Sequence, residues 1–215
     1  MHLEIYGDPQ VAVQSESYFG NVNSFGPRSC YDEGKRVAEA LAYSYRLENG
    51  LDVRVARIFN AYGPWMEIND GRAVPNFIAA AMEGRPISIY GDGSATRCFQ
   101  FATDCVTGLA ALMESDYGGP VNIGSNHEVP VRDIARMISR VVAEKTGAPV
   151  VPICLLQKRQ DDPTRRKPDI TTADRELGWA PSVQLEQGIA LTVDWFLERR
   201  KKTVKGKIIQ TQAAL

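Results

Sequence analysis

The run Arg28-Ser29-Cys30-Tyr31-Asp32-Glu33-Gly34-Lys35-Arg36-Val37-Ala38-Glu39 carries the sharpest chemistry in the chain. It opens a helix expected over about Cys30 to Glu48, with Val37, Ala38, Leu41, Ala42 and Tyr45 on one face at 3.6-residue spacing. Ser29 is placed to cap this helix and Asn49-Gly50 to stop it. Tyr31 and Lys35 stand four residues apart, so they share a helical face. A phenol is a poor base at neutral pH, because its reference pKa is about 10. A nearby ammonium favours the phenolate and moves that value down. The phenolate can then take a proton from a hydroxyl as hydride leaves the same carbon. Alone, Tyr-x-x-x-Lys is a weak signal that also arises as an ordinary surface pair.

Outward from this helix, strands and helices alternate. Val53 to Phe59 is β-branched and alternating, a strand. A loop, Asn60 to Arg72, leads to a helix marked by Val74, Phe77, Ile78 and Ala81. Short strands follow at Ile87 to Tyr90, closed by Gly91-Asp92-Gly93, and at about Cys98 to Phe101. Thr103 or Asp104 is placed to cap a helix reaching about Glu114. Val121 to Gly124 is a strand, and Arg132 to Lys145 a helix with Ile134, Ala135, Ile138, Val141 and Val142 inward. Val150 to Leu155 is a strand, Thr171 to Leu177 a short helix ended by Gly178, and Leu185 to about Arg200 the last amphipathic helix. Met1 to Tyr6 reads as the end of a strand whose beginning is missing. This alternation argues an α/β fold.

Composition narrows the function classes. The 215 residues are 44% hydrophobic and 24% charged, enough for a core of ordinary size. A net charge of −1 argues against a globally basic surface, so no nucleic-acid partner is expected. There is no apolar run of about 18 residues, hence no membrane span, and the opening residues lack signal-peptide features. Cys30, Cys98, Cys105 and Cys154 fit no CxxC spacing, which suggests free thiols in a reducing compartment. His2 and His127 are too few and too far apart for a histidine-rich metal site. The basic run Arg199, Arg200, Lys201, Lys202, Lys205 and Lys207 reads as a solvated tail.

Other blocks stand in order around the Tyr-Lys helix. They are Glu4-Ile5-Tyr6-Gly7-Asp8-Pro9, Arg54-Val55-Ala56-Arg57-Ile58-Phe59-Asn60 with Gly63-Pro64, and Asn69-Asp70-Gly71-Arg72 with Asn76-Phe77-Ile78. Then come Tyr90-Gly91-Asp92-Gly93 with Thr96-Arg97, Asp161-Asp162-Pro163 with Arg165-Arg166-Lys167-Pro168-Asp169-Ile170, and Leu177-Gly178-Trp179 with Pro181. Over about residues 4 to 200 the chain resembles the extended short-chain dehydrogenases/reductases, most closely the UDP-glucuronate decarboxylases (UDP-xylose synthases).

The resemblance implies a partial Rossmann-like, doubly wound parallel sheet with a smaller C-terminal nucleotide-sugar-binding domain. Residues 1–63, rejoined by 98–116, would belong to the NAD-binding half. Residues 64–97 and 117–200 would bind UDP-sugar, and 201–215 would form the tail. The reaction implied is decarboxylation of UDP-glucuronate to UDP-xylose through a 4-keto sugar, with NAD as cofactor and no metal. Tyr31 resembles the general base and Lys35 its partner on the nicotinamide ribose. Glu4 matches the glutamate that faces the sugar, and Arg166 the arginine beside the sugar carboxylate. Asn60, Asn76, Phe77, Tyr90 and Arg97 match positions that hold the UDP portion. Arg72 is assigned with Tyr31 and Lys35 to the cofactor.

The chain departs from the family in two places. No GxxGxxG turn for a dinucleotide pyrophosphate is present. Met1-His2-Leu3 stands where the family carries Ser/Thr before the glutamate. The chain thus resembles the C-terminal half of a longer enzyme. Missing strands would leave a sheet edge and helix faces uncovered. Alternatives are a non-catalytic remnant that binds UDP-sugar weakly or pairs with a full-length subunit, and another nucleotide-sugar epimerase or dehydratase. Arg166 within its basic block favours the decarboxylase. By resemblance a homodimer forms through helices that include the Tyr-Lys helix. A cytoplasmic location is expected, with any targeting segment upstream of Met1.

Overall fold

The computed structural model describes residues 3–68, 70–158 and 163–213, with side chains described as far as residue 201. Met1-His2, Asn69, Asp161-Asp162 and the side chains of Lys202, Lys205 and Lys207 lie outside the described residues. The chain opens in a 3₁₀ turn, Leu3–Tyr6, where the Gly7 N–H donates to the Glu4 carbonyl at 3.1 Å. This corrects the expected strand end. Among the described residues no named strand pairs with Leu3–Tyr6, and beyond the turn only an isolated parallel bridge forms, with the Asn21 N–H donating to the Tyr6 carbonyl at 3.0 Å. Helix α1 (Ser29–Asn49) has Arg28 rather than Ser29 at its N-cap and ends at Gly50, whose φ of 65° suits a residue without Cβ.

After α1 come β1 (Val55–Ile58), β2 (Ala61–Tyr62), α2 (Ala73–Met82), β3 (Ile87–Tyr90), β4 (Thr96–Cys98) and β5 (Gln100–Phe101). Then follow α3 (Ala102–Glu114), β6 (Pro120–Ile123), β7 (Glu128–Pro130), α4 (Val131–Thr146), β8 (Ile153–Leu156), β9 (Arg165–Arg166), α5 (Thr171–Leu177) and α6 (Leu185–Ala213). Among the described residues four pairs are parallel: β1 with β6, β2 with β5, β3 with β8, and β4 with β9. Parallel neighbours need crossovers, which the helices supply. Strand β4 lies between antiparallel β7 and parallel β9. The single strand expected over Cys98 to Phe101 is broken at Phe99, and its two parts pair in different sheets.

Apolar burial explains the packing. The main core joins α2, α4 and α6 to β3 through Ile78, Ile87, Ile134, Ile138, Ile189 and Phe196. A second core sets Val121 and Ile123 of β6 against Leu112, Ala173 and Trp179. A third, small one seats Leu3, Ile5 and Tyr6 on Phe59, which fixes the opening turn beside β1. Asp104 does not cap α3, whose N-cap is Phe101. It is buried and accepts the Ser182 hydroxyl at 2.9 Å and the Val183 N–H at 3.0 Å. Arg199 and Arg200 are exposed on α6, where they donate to Glu67 (3.2 Å) and the Met82 carbonyl (3.0 Å).

Helix α1 turns its charged side inward. Asp32 is buried and Arg36, Glu39 and Arg46 are half-buried. The apolar positions Val37, Leu41 and Tyr45 are exposed, without a cover among the described residues.

Candidate active site

Three elements converge. Helix α1 carries Tyr31, Asp32 and Lys35, with Arg28 at its N-cap; the 3₁₀ turn carries Glu4; strand β9 carries Arg166. Arg166 Nη1 lies 3.4 Å from Glu4 Oε1, and Arg28 Nη2 lies 3.9 Å from the same oxygen. Arg28 also pairs with Asp32 at 3.4 Å. Glu4, Asp32 and Arg166 are buried, whereas Tyr31 is 45% exposed. The phenol therefore stands at the open side of a buried charge cluster, within reach of an incoming hydroxyl.

Electrostatics at Tyr31 run opposite to the expectation from Tyr-x-x-x-Lys. Burial and then the Glu4 carboxylate hold the phenol above its ordinary value, with Arg28 and Arg166 pulling it back. The Lys35 Nζ lies 5.3 Å from the ring centroid, against the π face. Asp32 is likewise held above the usual carboxylate range by burial, offset by Arg28 and Arg166.

The expected UDP residues occupy other elements. Arg97 of β4 is the register partner of Arg166 in β9, so the two guanidiniums leave one sheet side by side. Asn60, just after β1, donates to the Cys98 carbonyl at 3.4 Å and so reaches β4. Asn76 is exposed on α2, Phe77 is buried in the main core, and Tyr90 is 40% exposed at the end of β3. Arg72 is the exposed N-cap of α2 and pairs with Asp70. The structure thus gathers Glu4, Tyr31, Lys35 and Arg166, and links Arg97 to them through register. Arg28 and Asp32 belong to the same cluster but were not singled out from sequence. Their i,i+4 spacing at the helix start was the available signal.

Over residues 3–192 the chain matches the family described as GDP-mannose 4,6 dehydratase, and it belongs to that family. Among curated relatives it is 51% identical over 193 residues to UDP-glucuronic acid decarboxylase 1 of Xenopus tropicalis, covering 90% of this chain and 45% of the relative. It is 47% identical to UDP-glucuronic acid decarboxylase 6 of Arabidopsis thaliana, covering 90% and 55%. The chain spans about half the length of these relatives. Among solved structures it resembles UDP-glucuronic acid 4-epimerase of Bacillus cereus in complex with UDP-glucuronic acid and NAD, with a TM-score of 0.77, 26% identity and coverage of 92% and 60%. It also resembles UDP-glucose 4-epimerase of Thermotoga maritima with UDP-glucose, with a TM-score of 0.81, 28% identity and coverage of 91% and 61%. The fold is therefore the Rossmann-like α/β architecture of these nucleotide-sugar enzymes.

A cationic Lys35 beside a part-exposed Tyr31 on α1 has the chemistry to receive a polar cofactor group such as a ribose. The described helices that follow strands directly, α3 and α4, begin at Ala102 and Val131 behind Phe101 and Pro130, with no glycine-rich turn for the pyrophosphate.

Proposed function

We propose that this chain is the substrate-facing part of a UDP-glucuronate decarboxylase, which forms UDP-xylose through a 4-keto sugar. The observation that supports it most is the meeting of Tyr31 and Lys35 on α1 with the buried Glu4–Arg166 pair. NAD, when bound, supplies a hydride acceptor and later a hydride donor. Tyr31 takes the proton of the sugar 4-hydroxyl, and its raised pKa means that a cation near the phenol oxygen must favour the phenolate. Lys35 holds the nicotinamide ribose against the same helix, and Arg72 is a second cofactor contact. The 4-keto group is β to the carboxylate, so it can hold the electrons released with CO₂. Arg166 is permanently cationic and suits both the carboxylate and the developing enolate. Glu4 orients Arg166 and faces the sugar. Arg97, Asn60, Asn76, Phe77 and Tyr90 hold UDP, with Arg97 matched to a diphosphate by its fork of donors. In this division, residues 1–63 with 98–116 belong to the NAD-binding half and 64–97 with 117–200 to the nucleotide-sugar half, with the site residues drawn from both.

The test uses the longer enzyme that contains this segment, given UDP-glucuronate and NAD⁺. Release of CO₂ with UDP-xylose as product is expected. A product that keeps its carboxylate, with inverted 4-configuration, would assign the chain to an epimerase instead.

The bare apolar face of α1 favours a second element of this reading, association with another polypeptide. A second copy or a full-length subunit would cover Val37, Leu41 and Tyr45. Sedimentation of wild type against Leu41→Glu tests it: a dimer that the charge dissociates is expected, and a monomer in both cases counts against it.

A further inference from the structure

A buried hydrogen-bond network, separate from the reacting groups, joins the three elements that carry them. Arg57 of β1 is 7% exposed. Its Nε donates to Glu39 Oε2 at 3.1 Å and its Nη2 to Glu39 Oε1, a forked pair with a residue two turns along α1 from Tyr31. Its Nη1 donates to Tyr6 Oη at 2.9 Å and to the Glu16 carbonyl at 2.8 Å. Tyr6 lies two residues from Glu4, and its hydroxyl donates to Asn122 Oδ1 at 2.7 Å. Asn122, wholly buried in β6, donates through Nδ2 to the carbonyls of Gln14 (2.9 Å) and Asp169 (3.0 Å). Gln14 in turn exchanges backbone hydrogen bonds with Lys167 and Asp169, the residues just past Arg166, and its Oε1 accepts the Lys167 N–H at 2.7 Å. A second strut from α1 is Arg36, which donates to the Ile5 carbonyl at 3.1 Å.

We infer that Arg57, with Glu39, Tyr6 and Asn122, is the positioning device that sets Tyr31, Glu4 and Arg166 at their mutual spacing. The inference rests on the proposed roles of those three residues. None of the four network residues needs to touch the sugar. A fully satisfied buried network is stiff, and it ties together a four-residue turn seated on Phe59, a two-residue strand paired with β4, and a helix with its apolar side exposed that Arg36 and Arg46 also anchor. Small misplacements of reacting groups cost rate far more than binding.

Two variants test this, because each leaves the fold a different support. Tyr6→Phe keeps the ring on Phe59 but cuts the link between Arg57 and Asn122. Glu39→Gln keeps the shape at a part-exposed site but weakens the fork from α1. If one variant does not fold, the other decides. In this chain, the phenol carbon of Tyr31 is followed by ¹³C resonance against pH, assigned by its loss in Tyr31→Phe. The groups facing that phenol are Glu4, Arg28, Asp32, Arg166 and Lys35. Since burial and Glu4 hold the phenol up, loosening the cluster is expected to bring its midpoint down toward the ordinary value, at unchanged far-ultraviolet dichroism. In the longer enzyme, kcat is expected to fall about tenfold while KM for the nucleotide sugar stays within about twofold. The double variant should be no worse than the more affected single one, as befits one network. A Tyr31 midpoint that stays at the wild-type value in the folded variants overturns the inference, as does a loss confined to KM. If wild-type enzyme does not act on UDP-glucuronate, the functional reading fails and the Tyr31 titration alone still decides the network.

Discussion

At the scale of single residues, charge and burial assign different duties to similar groups. Tyr31 and Tyr6 are both phenols near arginines, yet one is 45% exposed and the other 2%. Of the two, Tyr31 is the one open to a hydroxyl from outside. In the proposed decarboxylase, Tyr31→Phe is expected to lower turnover by about 10²–10⁴-fold, the usual loss with a general base, and to leave UDP affinity nearly unchanged. Turnover and an inhibition constant for UDP, measured together, check this. Arg166→Ala should act later, allowing oxidation to proceed while CO₂ release falls. Absorbance near 340 nm followed beside CO₂ separates the two stages. The thiols divide in the same manner. Cys30 and Cys154 are exposed, while Cys98 is buried and pushed up to about 12, and Cys105 is also raised by burial. A chromogenic disulfide at pH 8 is expected to titrate two thiols quickly and the other two only on unfolding.

At the scale of elements, close approach is the main constraint. Helix α3 meets β6 and Trp179 at Gly108, where an added Cβ would lie 2.8 Å from the indole Cε2 and 2.9 Å from Ile123 Cγ2. The indole cannot retreat easily, because its N–H donates to Thr107 at 3.1 Å and its ring is packed in the second core. Gly108→Ala should therefore destabilise by about 1–3 kcal/mol, the cost of overpacking, despite alanine's better helix propensity. Urea unfolding with an unchanged slope and a lowered midpoint is the expected record. Helix α1 shows the converse case. Its outward apolar stripe is not packed against anything among the described residues, so its placement relies on Arg36, Glu39 and Arg46 reaching into the body.

At the scale of the whole molecule, buried acids make stability depend on alkaline pH. Burial raises Tyr6 from 10.0 to about 12 and Cys98 from 9.0 to about 12, and Tyr62 is also pushed up. The folded chain holds these protons more tightly than the unfolded one. Their contribution is fully present below about pH 9 and is lost as pH rises from there through about 12. The urea midpoint should fall across that window, and Cys98→Ala should flatten part of the slope. A midpoint that is level from pH 9 to 11 would contradict the burial of these groups.

Sequence by itself determined most of the elements and the pairing of Tyr31 with Lys35, because both rest on local periodicity. Ile87–Tyr90 and Thr171–Leu177 were legible to the residue, since turn glycines bound them. The ordered motifs also made the family legible, and with it Glu4 and Arg166, which lie 162 residues apart. Tertiary structure alone decided which face of α1 turns inward, since amphipathic spacing identifies a stripe but not what lies against it. It also decided that residues 3–6 form a turn, because a strand needs a neighbour that local sequence does not reveal. The direction of the Tyr31 shift was likewise tertiary: Lys35 is near in sequence, but burial and Glu4 act through space. The Arg57–Tyr6–Asn122 network was invisible beforehand for the same reason, because its partners come from three distant stretches that meet only when β1 and β6 pair.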